Sequence, residues 1–89
     1  MNNPPVTVAE AKAYLRIDGE EEDNLLASLI SAATMHCEDY LQASLPELVP
    51  TPVKQAMLLL VSHFYEQRGG ENIPKVVYDL LSPYRAHLW

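Results

Sequence analysis

Hydrophobic residues recur at helical spacing most densely between residues 52 and 68 of this chain. At about 100° per residue they fall on one broad apolar face, which comprises Val53, Ala56, Met57, Leu60, Val61 and Phe64. Leu58 lies on the shoulder of this face and Leu59 lies near the opposite side, so polar residues occupy only a narrow strip. A helix that is apolar over most of its circumference needs more than one neighbour to cover it. We therefore expect this helix to be central, either to the fold or to an assembly.

The limits of this central helix are marked by residues that favour helix ends. Thr51 is suited to cap its N-terminus, and Pro52 fits the first helical position, where a missing N–H is tolerated. Gly69 and Gly70 favour the left-handed conformation that ends a helix. The pattern predicts a helix over about residues 52–68.

A second long apolar stripe predicts a helix over about residues 21–41. Its main positions are Leu26, Ile30, Ala33, Cys37 and Tyr40, with Leu25, Leu29 and Leu41 beside them. An acidic turn at residues 18–23 precedes it, and the helix dipole favours negative charge at that end. Cys37 lies within the stripe, which is typical of a small buried hydrophobic residue rather than a reactive thiol.

Two short helices complete the predicted fold. Thr7 and Glu10 fit a capping box, which predicts a helix over about residues 8–16 after an extended N-terminal arm at residues 1–6. The apolar pattern near the end of the chain predicts a helix over about residues 74–81, followed by a last turn from 84 to 89.

The segment between the two long helices contains two prolines, which predict a stiffened connector. Its apolar residues, Leu45, Leu48 and Val49, are expected to pack against the core. The sequence thus predicts an all-α fold with a single domain over residues 1–89. This domain is a small bundle of about four helices in which the two long helices pack together.

Composition narrows the function classes. The 89 residues carry a formal net charge of −6, which disfavours both non-specific binding to nucleic acid and docking on anionic membranes. One cysteine excludes an internal disulfide. The longest apolar run is far shorter than the ~20 residues of a membrane span, and no secretion signal is recognised. We expect a soluble protein made in a reducing cytoplasm.

No residue pattern indicates catalysis. His36, His63 and His87 fall on different predicted elements, and none belongs to a known metal-binding motif. The acidic turn lacks the spacing of a calcium loop, and it also places the wrong charge at the start of a DNA-recognition helix. We therefore predict that the chain is not an enzyme and has no catalytic, metal or cofactor site.

Tyrosine and arginine residues recur together in the second half of the chain. Tyr65 and Arg68 lie at the end of the central helix, and Tyr84 and Arg85 lie near the C-terminus. Tyrosine and arginine anchor many protein interfaces, so these residues are candidate contacts to another subunit. Carboxylates of residues 20–23 on a neighbouring copy are possible partners for the arginines. Alternatively, the two tyrosines close a small core. If the arginines are not contacts either, we expect the interface on Leu58 and Leu59 of the central helix.

Several blocks of the sequence, in this order and spacing, are similar to a known family. They include VTVAEAKAYLRID at residues 6–18, EDYL at 38–41, PVKQA at 52–56, LVSHFYEQR at 60–68 and LLSPYR at 80–85. Together they cover nearly the entire chain. In this respect the sequence resembles the small head–tail connector proteins of long-tailed bacteriophages, which are also described as DNA-packaging proteins.

The resemblance implies an all-helical, non-enzymatic virion protein. Such proteins assemble as a ring, here expected to be dodecameric, beneath the portal protein. The ring joins the capsid to the tail through a tail-side connector or tail-completion protein, and it extends the channel through which DNA passes. No sequence-specific DNA contact and no membrane contact is implied. The expected location is the bacterial host cytoplasm during assembly and then the virion neck.

The residues themselves leave one alternative open. A free-standing helical interaction module, or a small regulator that dimerises through the central helix, has the same apolar pattern. A closed ring in electron micrographs favours the connector, whereas a dimer in solution favours the regulator.

Overall fold

The computed structural model describes residues 5–46, 48–66 and 72–85 of the chain. These residues form four α-helices and a closing 3₁₀ turn, and none of them lies in a β-strand. The helices are α1 (Val8–Leu15), α2 (Asp23–Leu41), α3 (Thr51–Glu66) and α4 (Lys75–Leu81), and the 3₁₀ turn is Ser82–Tyr84. The predicted all-α bundle with two long and two short helices is confirmed.

The predicted capping box fixes the start of α1. The Thr7 hydroxyl accepts a hydrogen bond from the Glu10 N–H at 3.1 Å, and the Glu10 carboxylate accepts one from the Thr7 N–H at 2.9 Å. The helix ends at Leu15, one residue earlier than predicted, because Arg16 adopts a left-handed conformation with φ of 60°. Its N–H then reaches back to the carbonyl groups of the last turn.

The other helices differ from the predicted limits by one or two residues. Helix α2 begins at Asp23 rather than near residue 21. Thr51 belongs to the first turn of α3 instead of capping it, since the Lys54 N–H donates to the Pro50 carbonyl at 3.1 Å. Helix α4 begins one residue later than predicted, because Pro74 is extended. The predicted C-terminal end of α3 and residues 86–89 lie outside the described residues.

Helix α3 is the centre of the bundle, because α1, α2 and α4 all pack against it. Its buried residues are Val53, Ala56, Met57, Leu60, Val61 and His63, and those of α2 are Leu26, Ile30, Ala33, Cys37 and Leu41. The predicted stripes are therefore largely confirmed. Two positions at their edges were wrong, because Leu41 is buried in place of Tyr40 and His63 in place of Phe64. Tyr40 and Phe64 are half-buried and pack against the core.

The connector between α2 and α3 follows the prediction at its two ends only. Leu45 and Val49 pack against the core, and the Leu45 N–H donates to the Glu38 carboxylate at 2.8 Å. Leu48 was expected in the core but is 92% exposed. Leu45 and Val49 thus pack inward, whereas the Leu48 side chain lies in solvent. Val6, predicted to lie in an extended arm, is fully buried in the core.

Two ion pairs hold α1 against the longer helices. Lys12 contacts Asp23 at the start of α2 at 2.9 Å, and Lys54 of α3 contacts the Glu10 carboxylate. The bond from Lys54 is the largest cause of a lowered pKa at Glu10, followed by the bond from the Thr7 N–H. Charge therefore fixes the orientation of a short helix that contributes only Ala11 to the buried core.

Cys37 is the single cysteine, and its environment agrees with the prediction of a packed hydrophobic residue. It is free and fully buried. The pKa of its thiol is raised to about 12, mainly by burial and secondly by the negative charge of Glu38. The thiol is therefore protonated and unreactive while the domain is folded.

We predict that Met57→Asp or Leu60→Asp unfolds the domain, because each places an unpaired charge among fully buried side chains. The expected loss is several kcal/mol, which is most of the stability of a domain this small. Thermal unfolding followed by circular dichroism measures it. Met35→Asp is the matched control, since Met35 is 63% exposed on the outer side of α2. A Met57→Asp protein as stable as the wild type would show that the core is placed wrongly.

We also predict that Glu10 makes stability depend on pH. Its folded pKa is lowered from an ordinary value of 4.5, so its stabilising contribution is present above pH 4.5. The contribution is lost as the pH falls through the folded pKa. Glu10→Gln should therefore destabilise the domain at pH 7, by less than about 1 kcal/mol because the ion pair is well exposed, and by progressively less below pH 4.5.

Denaturant unfolding at several pH values measures this difference. Lys54→Met is the control, since removing the main partner of Glu10 should reduce the same pH dependence. An effect of Glu10→Gln that stays constant from pH 7 to pH 3 contradicts the assignment.

Candidate functional site

Of the residues predicted to form an interface, Tyr65 and Arg85 are described at opposite ends of α2. Tyr65, in the last turn of α3, is half-buried. Its hydroxyl donates to the carboxylate of Glu22, with distances of 2.7 and 2.9 Å to the two oxygens. Glu22 directly precedes α2, so Tyr65 is fixed at the N-terminal end of that helix.

Tyr84 and Arg85 lie at the other end. The guanidinium carbon of Arg85 is 5.0 Å from the centre of the Tyr40 ring, near the C-terminus of α2. Since α2 has 19 residues, the two ends are roughly 28 Å apart at ~1.5 Å per residue. Tyr65 is therefore too far away to act as an anchor beside Arg85.

The remaining candidates are partly used by the fold. Tyr84 is half-buried and packs against the core, and Leu58 and Leu59 do the same along α3. Arg85 is exposed. Arg68 lies outside the described residues.

Arg85 rests on an aromatic cluster that the sequence interpretation missed. The Tyr40 and Tyr78 rings are 5.0 Å apart, centre to centre, and inclined at 52°. The Tyr40 hydroxyl is 2.9 Å from the Ser82 hydroxyl, and the His36 Nε2 atom is 2.9 Å from the Tyr78 hydroxyl. Both bonds join residues 42 positions apart, so α2 and α4 run side by side in the same direction here.

A sequence signal for this cluster did exist. His36 and Tyr40 are four residues apart on α2, and Tyr78 and Ser82 have the same spacing around α4. Residues at this spacing face the same side of a helix, so α2 presents a histidine and a tyrosine, and the end of α4 presents a tyrosine and a serine. The sequence alone does not show that these two pairs of residues contact each other.

The described ion pairs leave an uneven distribution of charge. Each of the three lysines has an acidic partner: Lys12 with Asp23, Lys54 with Glu10, and Lys75 with Asp79. The described arginines, Arg16 and Arg85, are exposed and form no ion pair with the described residues. The acidic turn contributes further exposed carboxylates, from Asp18, Glu20 and Glu21. One end of α2 therefore presents a cation on an aromatic ring, and the other presents carboxylates.

The described residues offer no cluster of three or more histidine, cysteine or acidic side chains able to hold a metal ion. His36 is hydrogen-bonded to Tyr78, and His63 is buried with Phe64 beside it at a ring distance of 6.1 Å. His87 lies outside the described residues. Within the same part of the chain, none of the helices has the length and hydrophobicity required to cross a membrane.

Comparison with known proteins identifies the family. Residues 5–85 match the family model described as phage gp6-like head-tail connector protein. No curated protein and no solved structure gave a match in the corresponding searches. Proteins of this family are structural components of the virion neck, and they interact with phage portal and tail proteins. Because the match spans nearly the entire chain, this protein belongs to the phage gp6-like head-tail connector family.

Proposed function

We propose that this protein is the subunit of a homo-oligomeric ring that lies beneath the portal, joins the capsid to the tail and extends the DNA channel. The observation that carries this proposal is the family match over residues 5–85. The ring is expected to be dodecameric on the portal, with a tail-side connector or tail-completion protein on its other face. Assembly takes place in the host cytoplasm, and the final location is the virion neck.

The surface chemistry supports a ring. A cyclic assembly forms from head-to-tail contacts, which require two different patches on each subunit. The two ends of α2 are different in this way, because Arg85 lies at one end and the exposed acidic turn lies at the other. A subunit with these two ends can be positive toward one neighbour and negative toward the next.

The net charge is also compatible with a channel for DNA. Proteins that hold DNA neutralise its phosphates with lysine and arginine, and each such contact strengthens binding. This chain has a net charge of −6, and its lysines are engaged in ion pairs within the subunit. DNA can therefore slide past the subunit without sequence-specific contact.

The alternative function, a regulator that dimerises through the central helix, receives less support from the fold. The argument for such a dimer is that α3 is too apolar to be covered by a single neighbouring helix. Within the subunit α1, α2 and α4 all pack against α3, and Met57 and Leu60 are fully buried. Leu58, Leu59 and Phe64 remain half-buried, and they are the apolar side chains through which α3 could still contact a second copy.

Electron microscopy of the purified protein, alone and mixed with its portal, tests the proposed function. The expected result is a closed ring, either free at high protein concentration or bound to the portal. Portal binding should favour the ring because contacts that are weak between free subunits become strong when a template holds them together. A dimer that neither closes into a ring nor binds the portal contradicts the proposal.

We predict that Arg85→Glu reduces ring formation and head completion while leaving the fold intact. Arg85 is exposed, and exposed charges contribute only ~0–1 kcal/mol to folding, so helicity and melting temperature should change little. Arg68→Glu is expected to behave in the same way. Assembly is measured by sedimentation and by the completion of portal-bearing capsids.

Arg16→Glu is the matched control, because it makes the same charge change at another exposed arginine. It should not reduce assembly. If the folded Arg85→Glu and Arg68→Glu variants both assemble as well as the wild type, the interface lies elsewhere, with Leu58 and Leu59 as the next candidates.

A further inference from the structure

We propose that Tyr40 and Arg85 form a preorganised carboxylate-binding site. We propose that its ligand is the exposed part of the acidic turn, residues 18–21, of a second copy of this chain. The inference rests on the proposed function, since it names the contact between neighbouring subunits. It adds Tyr40 as the positioning residue and the acidic turn as the partner.

The first step is the orientation of the arginine. The Arg85 guanidinium lies over the Tyr40 ring at 5.0 Å, and the Arg85 backbone N–H donates to the Ser82 carbonyl at 3.1 Å. Tyr40 is itself held, through its hydroxyl by Ser82 and through its ring by Tyr78. A guanidinium on a fixed ring loses less side-chain entropy when it binds a ligand, so its hydrogen bonds are formed more favourably.

The second step is the chemistry of the ligand. Stacking occupies the face of a guanidinium, whereas its N–H donors lie in the plane and remain available at the edge. Two parallel donors in that edge match the two oxygens of a carboxylate. Within the described residues, no carboxylate pairs with Arg85. The described part of the subunit therefore supplies no acidic group to this edge of Arg85.

The third step is to identify the available carboxylates. Several are already engaged within the subunit: Glu10 with Lys54, Glu22 with Tyr65, Asp23 with Lys12, Glu38 with the Leu45 N–H, and Asp79 with Lys75. The acidic turn instead presents Asp18, Glu20 and Glu21 together, all exposed. Of the described segments, it offers the densest group of exposed carboxylates.

The turn also has a defined shape. Gly19 has a φ of 90°, a backbone conformation that residues with a side chain rarely adopt, and the Glu21 carboxylate lies next to its Cα atom. The backbone therefore depends on glycine at this position, and the Glu21 carboxylate folds back over it.

The fourth step excludes a contact within one subunit. Arg85 lies beside Tyr40 at the C-terminal end of α2, and the acidic turn precedes the N-terminal end. The length of α2, roughly 28 Å at ~1.5 Å per residue, exceeds the reach of any side chain. Only a second copy can bring the two together, and since each copy has one of each, the contact repeats from subunit to subunit.

A charge-exchange experiment tests the partner. One protein carries Arg85→Glu, and the other carries Glu20→Lys with Glu21→Lys. Each alone should associate at least about tenfold more weakly than the wild type, because like charges then meet at the contact. An equimolar mixture should regain association, because glutamate at position 85 of one protein meets lysine on the other. Native mass spectrometry should find equal numbers of the two proteins in each complex.

Substitutions at Tyr40 test its positioning role. Tyr40→Leu should weaken association roughly two- to five-fold per contact, which corresponds to the loss of an exposed cation–π interaction. Tyr40→Phe keeps the ring and should retain most of the affinity. Arg85→Lys keeps the charge without the planar fork and should also lose affinity. Tyr14→Leu is the control, since Tyr14 is an exposed tyrosine away from this site.

A second measurement examines the site in the free subunit. Stacking on a ring shifts the side-chain NMR signals of Arg85 upfield, and Tyr40→Leu should abolish that shift while circular dichroism stays unchanged. Arg85 signals that are unshifted in the wild type overturn the preorganised site, whatever the assembly measurements give.

The outcomes separate this inference from the proposed function. If the wild type forms rings with the portal and the protein with lysines at positions 20 and 21 does so equally well, the acidic turn is not the partner and the ring proposal stands. If Arg85→Glu weakens assembly but Tyr40→Leu does not, Tyr40 has no positioning role. A wild-type protein that forms no ring, alone or with the portal, overturns both.

Discussion

The fold depends on covering helix α3 from several sides. An 89-residue chain has a modest core, and α3 alone contributes Val53, Ala56, Met57, Leu60 and Val61 to it. Because this helix is apolar over most of its circumference, it needs several neighbours, and α1, α2 and α4 all pack against it. Even Val6, ahead of the first helix, is drawn into the core. A second copy is therefore not needed to cover α3, and the proposed association between subunits rests on surface chemistry instead.

Polar contacts decide how the surrounding helices are oriented, and they also determine which charges stay available. Hydrophobic packing is non-directional, so a short helix such as α1 has little to fix its orientation on α3. The Lys12–Asp23 and Lys54–Glu10 ion pairs orient α1. The Tyr65–Glu22 hydrogen bond orients α3 relative to α2, and the His36–Tyr78 bond orients α4 relative to α2. Each of these contacts uses a group that would otherwise lie at the surface. Arg85 and the acidic turn are among the groups left over, and they lie toward opposite ends of α2.

The sequence predicted the parts of this structure that depend on local interactions. The four helices, the Thr7–Glu10 capping box and most of the buried stripes follow from periodicity and cap preferences, which act over a few residues. The errors lie where a neighbouring element decides. Near the edge of a stripe, burial depends on the position of the helix packed against it, so His63 is buried and Phe64 only half-buried.

The candidate site was less predictable for the same reason. Tyr65 and Arg85 were grouped by residue type, but the antiparallel packing of α2 and α3 puts them at opposite ends. The contact of Tyr40 with Tyr78 depends on α2 and α4 lying side by side, which no local pattern specifies. Leu48 is an error of the same kind. Its hydrophobicity predicted burial, but it is exposed between Leu45 and Val49, which pack against the core.

A net charge of −6 makes the few unpaired cations decisive for self-association. Two copies that approach in a random orientation repel each other, because most of the surface they present is neutral or negative. An orientation that brings an exposed arginine of one copy onto carboxylates of the other converts this repulsion into attraction. The acidic surface therefore disfavours wrong orientations. Specificity arises from this repulsion in the wrong orientations as much as from the attraction in the right one. In the proposed ring the same charge has a second consequence, since a surface that repels phosphate would let DNA pass without holding it.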